Sequence, residues 1–177
     1  GDAGGMNIYV VEAAQNMAAM GVQVDIFTRR NNPDVADIVD VAPGVRVIQL
    51  NVGPVSGVTK EQLPKLIPDL AAAFREALVN THYDIIHSHY WISGQLGWMI
   101  SERTGVPLIH TMHTMAKVKN QALAEGDVPE PLIRALGEEQ IVQNAKALIA
   151  NTDAEAASLV SLYGADSDRV KVVTPGV

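Results

Sequence analysis

The sequence of 177 residues contains no cysteine, which excludes disulfide bonds and thiolate metal ligands. Aromatic residues make up only 5%, and 13 basic residues stand against 20 acidic ones, for a net charge of −7. A nucleic-acid-binding surface is therefore not expected, although a local basic pocket is compatible with this balance. No apolar run reaches the length of a membrane span, and no signal peptide is recognisable. We expect a cytoplasmic protein that binds neither nucleic acid nor membrane.

Short apolar runs alternate with helical patterns, which predicts an α/β fold with a mostly parallel sheet covered on both faces. Residues 29–44 carry Asn31, Asn32, Pro33, Pro43 and Gly44 and are predicted to be loop. We expect one Rossmann-like, three-layer domain over residues 1–177. Strands are predicted at 22–28, 45–52, 84–89, 108–113, 147–150 and 170–173, and helices at 8–20, 66–80, 92–103, about 131–144 and 153–163.

A glycine-rich stretch opens the chain and precedes the first helical pattern. Its residues are Gly1, Asp2, Ala3, Gly4, Gly5, Met6 and Asn7. A loop that enters a helix leaves backbone N–H groups pointing outward at the positive end of the helix dipole, where a phosphate binds well. The alternative is an ordinary glycine-rich turn with Asn7 as helix N-cap. The stretch alone does not decide between them.

Polar residues gather where two predicted strands end, and ligands bind beyond the carboxyl ends of parallel strands. They are His87, Ser88, His89, Tyr90 and Trp91 after one strand, and His110, Thr111, His113 and Thr114 after the next. His87 and His110 alternate with apolar neighbours, so we interpret them as core histidines. His113 and Tyr90 come last and are better candidates for sugar or phosphate contact. A zinc site is disfavoured because no convincing carboxylate accompanies the histidines, and no metal is expected.

Basic residues near this edge favour an anionic ligand in an otherwise acidic chain. Lys60 follows a Gly/Pro loop that can approach a ligand, and Arg134 lies in the first turn of a predicted helix, where it opposes the helix dipole unless an anion is bound. Lys117 is interpreted as a solvated surface charge. Glu138 and Glu139 could instead pair with Arg134, and the sequence leaves this alternative open.

Taken in order, these motifs resemble the N-terminal domain of retaining GT-B glycosyltransferases of the GT4 family, over nearly the whole chain. Within that family they are most similar to enzymes of mycothiol biosynthesis, and sucrose-phosphate synthases are the nearest competitor. The motifs that carry the resemblance are the residues 1–7 stretch, Val24-Asp25-Ile26-Phe27-Thr28-Arg29, His87-Ser88-His89-Tyr90-Trp91-Ile92-Ser93-Gly94, His110-Thr111-Met112-His113-Thr114, Lys117-Val118-Lys119-Asn120, Ala150-Asn151-Thr152 and Val173-Thr174-Pro175-Gly176-Val177.

The resemblance implies transfer of N-acetylglucosamine from UDP-N-acetylglucosamine to inositol phosphate, with retention at the anomeric carbon and no cofactor. The N-terminal domain would hold the acceptor. Lys60, Tyr90, Thr114 and Arg134 would bind the acceptor phosphate, and His113 would face the transferred sugar as the catalytic-site residue. The loop from Asp2 through Ala3, Gly4, Gly5 and Met6 to Asn7 would line the donor and acceptor phosphates.

The chain departs from the family pattern at both ends. The family's first strand, central in the sheet, would precede residue 1, and its nucleotide-sugar domain would follow residue 177. We therefore expect the 177-residue piece to be inactive alone, with exposed backbone edges on two strands. The alternatives are a sucrose-phosphate-synthase-like domain and a non-catalytic sugar-phosphate-binding domain, and a homodimer could form through the exposed edges.

Overall fold

A computed structural model describes residues 4–176 of the chain. By internal contacts the chain divides into two compact units, the first ending at Thr81 and the second beginning at His82. Within the described residues, no helix combines the length and the apolar character that crossing a membrane requires.

The first unit carries two α-helices and a three-stranded sheet. In chain order its elements are α1 (Gly4–Ala19), β1 (Val24–Arg29), β2 (Ile38–Ala42), β3 (Val45–Leu50), a 3-10 turn (Leu63–Leu66) and α2 (Ile67–Leu78). The strand order is β1-β3-β2, with β1 parallel and β2 antiparallel to β3. The predicted apolar face of α1 packs inward, since Ala14 is buried and Val10, Ala13, Met17 and Ala18 are half-buried.

The prediction of a continuous loop over residues 29–44 is wrong, because β2 lies inside it. Two separate turn signals, Asn31-Asn32-Pro33 and Pro43-Gly44, flank a five-residue strand. Gly44 takes a positive φ of 76° in the tight turn that reverses the chain into β3. β2 and β3 form a hairpin with an irregular register between Asp40 and Ala42.

The second unit is a four-stranded, fully parallel sheet with the order β4-β5-β6-β7. Its elements are β4 (Ile86–His89), α3 (Trp91–Thr104), β5 (Leu108–Thr111), α4 (Ala116–Gln121), α5 (Leu132–Asn144), β6 (Ala147–Ala150), α6 (Asp153–Tyr163), a 3-10 turn (Ser167–Arg169) and β7 (Val170–Val172). The predicted alternation of strands and helices is confirmed here, with bounds that shift by a few residues.

Apolar side chains of this sheet and its helices form the core of the second unit. Leu108 and Leu148 on the strands and Val142 and Leu159 on the helices are at most 1% exposed. α6 begins at an N-cap, Thr152, whose side chain accepts the Glu155 N–H while the Glu155 carboxylate accepts the Asn151 N–H. The helices are thus fixed at positions that bring the strand ends and α5 to one edge.

In the described part of the chain, β1 and β4 each pair with a neighbour on one side only. β2 and β7 are likewise end strands, so each of the two sheets has an end strand on either side in the described residues. The expectation that β1 and β4 flank a missing strand stays a prediction. Four of the five strand pairings are parallel, as a mostly parallel α/β fold requires.

Candidate functional site: an anion-binding cluster at the ends of β4 and β5

The carboxyl ends of β4 and β5 lie side by side. His89 pairs with Thr111 in the parallel register, and the Tyr90 N–H donates to the Thr111 carbonyl at 3.0 Å. Both strands therefore end at the same level of the sheet. The residues that follow, Tyr90 on one side and His113 and Thr114 on the other, lie at one edge, as the sequence predicts.

Tyr90 and His113 are held in a backbone conformation that side-chain-bearing residues rarely adopt. Their φ angles are 71° and 60°, and no other non-glycine residue among residues 4–176 has a positive φ. Such a conformation costs about 1–2 kcal/mol and persists only where the surroundings impose it. The two outliers fall on adjacent strand ends, which makes this edge the candidate functional edge.

A row of histidines lies beneath the edge and is held by side-chain hydrogen bonds. His87 Nε2 lies 2.9 Å from Thr111 Oγ1, His110 Nδ1 lies 2.7 Å from Ser88 Oγ, and His89 Nδ1 lies 2.9 Å from His113 Nε2. His110 is fully buried, as expected of a core histidine, and its Nε2 has no hydrogen-bond partner in the described structure.

Burial keeps these imidazoles neutral. Desolvation, with a smaller contribution from neighbouring histidines, lowers the pKa of His87 to about 4 and that of His110 to about 3. Burial also lowers the pKa of His113. At neutral pH the row supplies hydrogen-bond donors and acceptors, so a positive charge for an anionic ligand has to come from elsewhere.

That charge comes from Arg134, which α5 places against the strand ends. Its side chain is almost fully buried, and its Nη2 donates to Thr114 Oγ1 at 2.9 Å and to the Thr114 carbonyl at 3.1 Å. The Arg134 Cζ lies 5.0 Å from the centre of the Tyr90 ring, within cation–π range. Arg134, Thr114 and Tyr90 thus form one cluster, which we call the anion-binding cluster.

Two glutamates hold Arg134 in place. Its Nε donates to Glu138 Oε1 at 2.8 Å, and its Nη1 lies 2.8 Å from Glu130 Oε2. Glu138 is fully buried, and its other oxygen accepts from the Ala116 N–H at 2.9 Å and from the Tyr163 hydroxyl. Burial lowers the pKa of Arg134, but the Glu138 hydrogen bond and charge outweigh it and the net direction is up, so Arg134 remains a cation.

The pairing that the sequence left open is now resolved. Glu138 pairs with Arg134, while Glu139 pairs with Lys117 at 2.6 Å. The sequence missed Glu130 and Tyr163 as members of the cluster. Glu130 had a local signal, because it stands four residues before Arg134. Tyr163 had none, since its contact with Glu138 spans 25 residues of chain.

The remaining predicted site residues lie in the first unit. Lys60 is exposed there and stays a predicted ligand contact. Gly4, Gly5, Met6 and Asn7 form the first turn of α1, so helix replaces the expected loop from residue 4 onward, and neither the N-cap role of Asn7 nor a helix start at residue 8 holds. Two glycines made a loop the better prediction from helix propensity. Asp2 and Ala3 lie outside the described residues.

Comparison with known sequences identifies the family. Residues 4–176 match the family described as "Glycosyl transferase 4-like domain". The chain belongs to this glycosyltransferase family. It is 56% identical, over its whole length, to the D-inositol 3-phosphate glycosyltransferase of Streptosporangium roseum and 53% identical to that of Kineococcus radiotolerans. It spans about 41% of the length of each of these relatives.

Solved structures place this glycosyltransferase domain in the same fold family. The sucrose-phosphate synthase of Thermosynechococcus elongatus superimposes with a TM-score of 0.90 at 31% identity, over 98% of this chain and 43% of that protein. LpCGTa, solved in complex with UDP, aligns with a TM-score of 0.60 at 15% identity over 93% of this chain, which shows the fold alone. The α/β fold with GT-B neighbours predicted from the sequence is confirmed.

Proposed function

We propose that this domain binds the acceptor of a retaining glycosyltransferase that transfers N-acetylglucosamine from UDP-N-acetylglucosamine to inositol phosphate. The observation that carries the proposal is the contact of Arg134 with both Thr114 and Tyr90 in one cluster. The names of the relatives that are 53–56% identical support the choice of acceptor.

The anion-binding cluster has the chemistry that an acceptor phosphate needs. A permanent cation lies beside a hydroxyl, Thr114, that is exposed at the mouth of the cluster and can turn to donate to a phosphate oxygen. Hydrogen bonds between such donors and a charged oxygen contribute about 1.5–3 kcal/mol each. Arg134 is held rigidly by Glu138, so little conformational entropy is lost when the phosphate binds.

His113 is the group proposed to face the transferred sugar. Its hydrogen-bonding partner His89 fixes the ring orientation, and its lowered pKa makes it a neutral hydrogen-bonding group at pH 7. A neutral imidazole can bind a sugar hydroxyl without repelling the positive charge that develops on the sugar ring during transfer. The family resemblance proposes Lys60 and the Asp2–Asn7 segment as further phosphate contacts, and it implies that the diphosphate leaves without a metal.

The second candidate is a sucrose-phosphate-synthase-like transferase, with fructose 6-phosphate as acceptor. The TM-score of 0.90 with the Thermosynechococcus enzyme favours it. Both candidates place a sugar or cyclitol phosphate on the same cluster, so the acceptor distinguishes them.

Transfer assays on the full-length protein test the proposal. Inositol phosphate and fructose 6-phosphate are each paired with UDP-N-acetylglucosamine and with UDP-glucose, and the products are identified by mass spectrometry. The proposal expects turnover with inositol phosphate and UDP-N-acetylglucosamine. Preferential turnover of fructose 6-phosphate would favour the second candidate, and turnover of neither acceptor would leave a sugar-phosphate-binding domain.

A further inference from the structure

Glu130 occupies the outer side of the anion-binding cluster and bridges two cations. Its Oε2 lies 2.8 Å from Arg134 Nη1, and its Oε1 lies 2.9 Å from Lys119 Nζ. One carboxylate thus joins a buried arginine to an exposed lysine of α4. A carboxylate and a phosphate present similar pairs of oxygens to a guanidinium and an ammonium group.

The bridge lies at an accessible place. The side chain of Glu130 is 24% exposed and that of Lys119 is 49% exposed. Both also line a shallow pocket of about 340 Å³, together with Ala122, Leu123, Asp127 and Val128. The Glu130 N–H donates to Asn120 Oδ1 at 2.7 Å, which ties the backbone down, so a change at the bridge would involve the side chain alone.

The charges of the cluster are balanced only while no ligand is bound. Arg134 and Lys119 stand against Glu138 and Glu130, and both lysine and arginine hydrogen bonds lower the pKa of Glu130 despite the opposing effect of its burial. Glu138 has no exposed surface and stays in place. An incoming phosphate would therefore meet the repulsion of Glu130, which is the partly exposed one of the two carboxylates.

From this geometry we propose that Lys119 is a further binding residue for the acceptor phosphate and that Glu130 is a built-in competitor for it. The phosphate displaces the Glu130 carboxylate from Lys119 and Arg134 and takes over both contacts. A neutral ligand has no charge with which to replace the carboxylate, so displacement of Glu130 is specific to phosphorylated acceptors. The inference rests on the proposed function, since it assumes that the acceptor phosphate binds at Arg134.

Calorimetry on the full-length protein, with D-inositol 3-phosphate and with unphosphorylated inositol, tests the proposal. Glu130→Gln keeps the size of the side chain but removes the competing charge, and we expect it to bind inositol phosphate at least threefold more tightly than the wild type. Glu139→Gln is the matched control, because it also removes one negative charge, but Glu139 lies on α5 and pairs with Lys117. We expect no gain in that variant.

A second pair of variants tests the lysine. Lys119→Met is expected to weaken inositol phosphate binding at least fivefold, while Lys117→Met leaves it within twofold. Unchanged or weaker binding by Glu130→Gln would overturn the competitor role, and unchanged binding by Lys119→Met would overturn the assignment of the lysine. A wild type that binds inositol and inositol phosphate equally would instead overturn the proposed function on which both rest.

Discussion

At the residue scale, the central feature is the buried Arg134, which has one group of neighbours that holds it in place and another that we propose lies beside the ligand. Glu138 and Tyr163 lie on the inner side of Arg134, and Thr114, Tyr90 and Glu130 lie toward the ligand side. Removing one partner of a buried ion pair costs about 3–5 kcal/mol, because the other charge is left uncompensated. Arg134→Ala would therefore test stability more than binding, and milder substitutions are needed to separate the two.

Tyr163→Phe tests the inner side. The hydroxyl donates to Glu138 and accepts from the Lys117 N–H at 3.0 Å, so its loss leaves both groups short of a partner. We expect the free energy of unfolding to fall by about 1.5–3 kcal/mol in urea denaturation. Ser158→Ala is the control, since its hydroxyl bonds to the Ala154 carbonyl of the same helix and its loss should cost less than about 0.5 kcal/mol. Equal effects of the two changes would contradict the role given to Tyr163.

The buried histidines predict how stability depends on pH. In the unfolded chain a histidine has a pKa near 6.5, whereas in the folded protein the pKa of His87 is about 4 and that of His110 about 3. Between these values the unfolded state binds protons that the folded state does not. The contribution of these neutral histidines to the free energy of unfolding is therefore complete above about pH 6.5. As the pH falls below that value, the free energy of unfolding decreases by up to about 1.4 kcal/mol per pH unit for each histidine.

Denaturation series at pH 7.5, 6.5, 5.5 and 4.5 measure this dependence. His87→Gln should flatten the decline below pH 6.5, because one of the histidines that resist protonation is gone. His82→Gln changes an exposed histidine and serves as the control. If the free energy of unfolding declined as steeply below pH 6.5 in His87→Gln as in the wild type, groups other than His87 would control the pH dependence.

At the element scale, α3 approaches β5 and α5 closely because it carries glycines where they meet. A Cβ placed on Gly94 would lie 2.8 Å from His110 Cε1 and would also overlap the Ile141 side chain. A Cβ on Gly97 would meet the end of the flexible Leu108 side chain at 2.8 Å. The ring of His110 is fixed by Ser88 and cannot yield, while Leu108 can adopt another rotamer.

We therefore expect Gly94→Ala to destabilise the domain by about 1–3 kcal/mol and to do so more than Gly97→Ala. Ser93→Ala, on the exposed side of the same helix, should be close to neutral. Thermal unfolding followed by circular dichroism gives the ranking. A Gly94→Ala variant as stable as Ser93→Ala would contradict the close packing of α3.

The elements also show what the sequence could and could not predict. The sequence predicted that Tyr90, His113 and Thr114 lie at strand ends, because polar residues that follow a buried apolar run emerge where the strand ends. β2 was missed because two turn signals, Asn31-Asn32-Pro33 and Pro43-Gly44, were interpreted as one loop although a five-residue strand lies between them. Tyr163 was missed because its contact with Glu138 is made by tertiary packing, which no local pattern encodes. Glu130 was missed although its spacing of four residues from Arg134 was a local signal.

At the scale of the whole molecule, an acidic chain places two basic residues close together at one edge of the second unit. The net charge is −7, yet Arg134 and Lys119 lie together there, both paired with Glu130, and Arg134 also pairs with Glu138. An overall acidic composition is therefore compatible with the anionic acceptor that we propose. The chain spans about 41% of the length of these relatives, and acceptor recognition is the part of transfer that we propose for it.

The most direct measurement of that central claim is the affinity of the full-length protein for D-inositol 3-phosphate and for inositol, in the wild type and in Thr114→Val. The substitution keeps the side-chain shape, removes the hydroxyl next to Arg134 and leaves the buried Glu138 pair intact. We predict that the wild type prefers the phosphate and that Thr114→Val weakens its binding about tenfold or more, without changing the affinity for inositol. Equal affinity of the wild type for both ligands, or unchanged phosphate binding in Thr114→Val, would contradict a phosphate site at the Tyr90, Thr114 and Arg134 cluster.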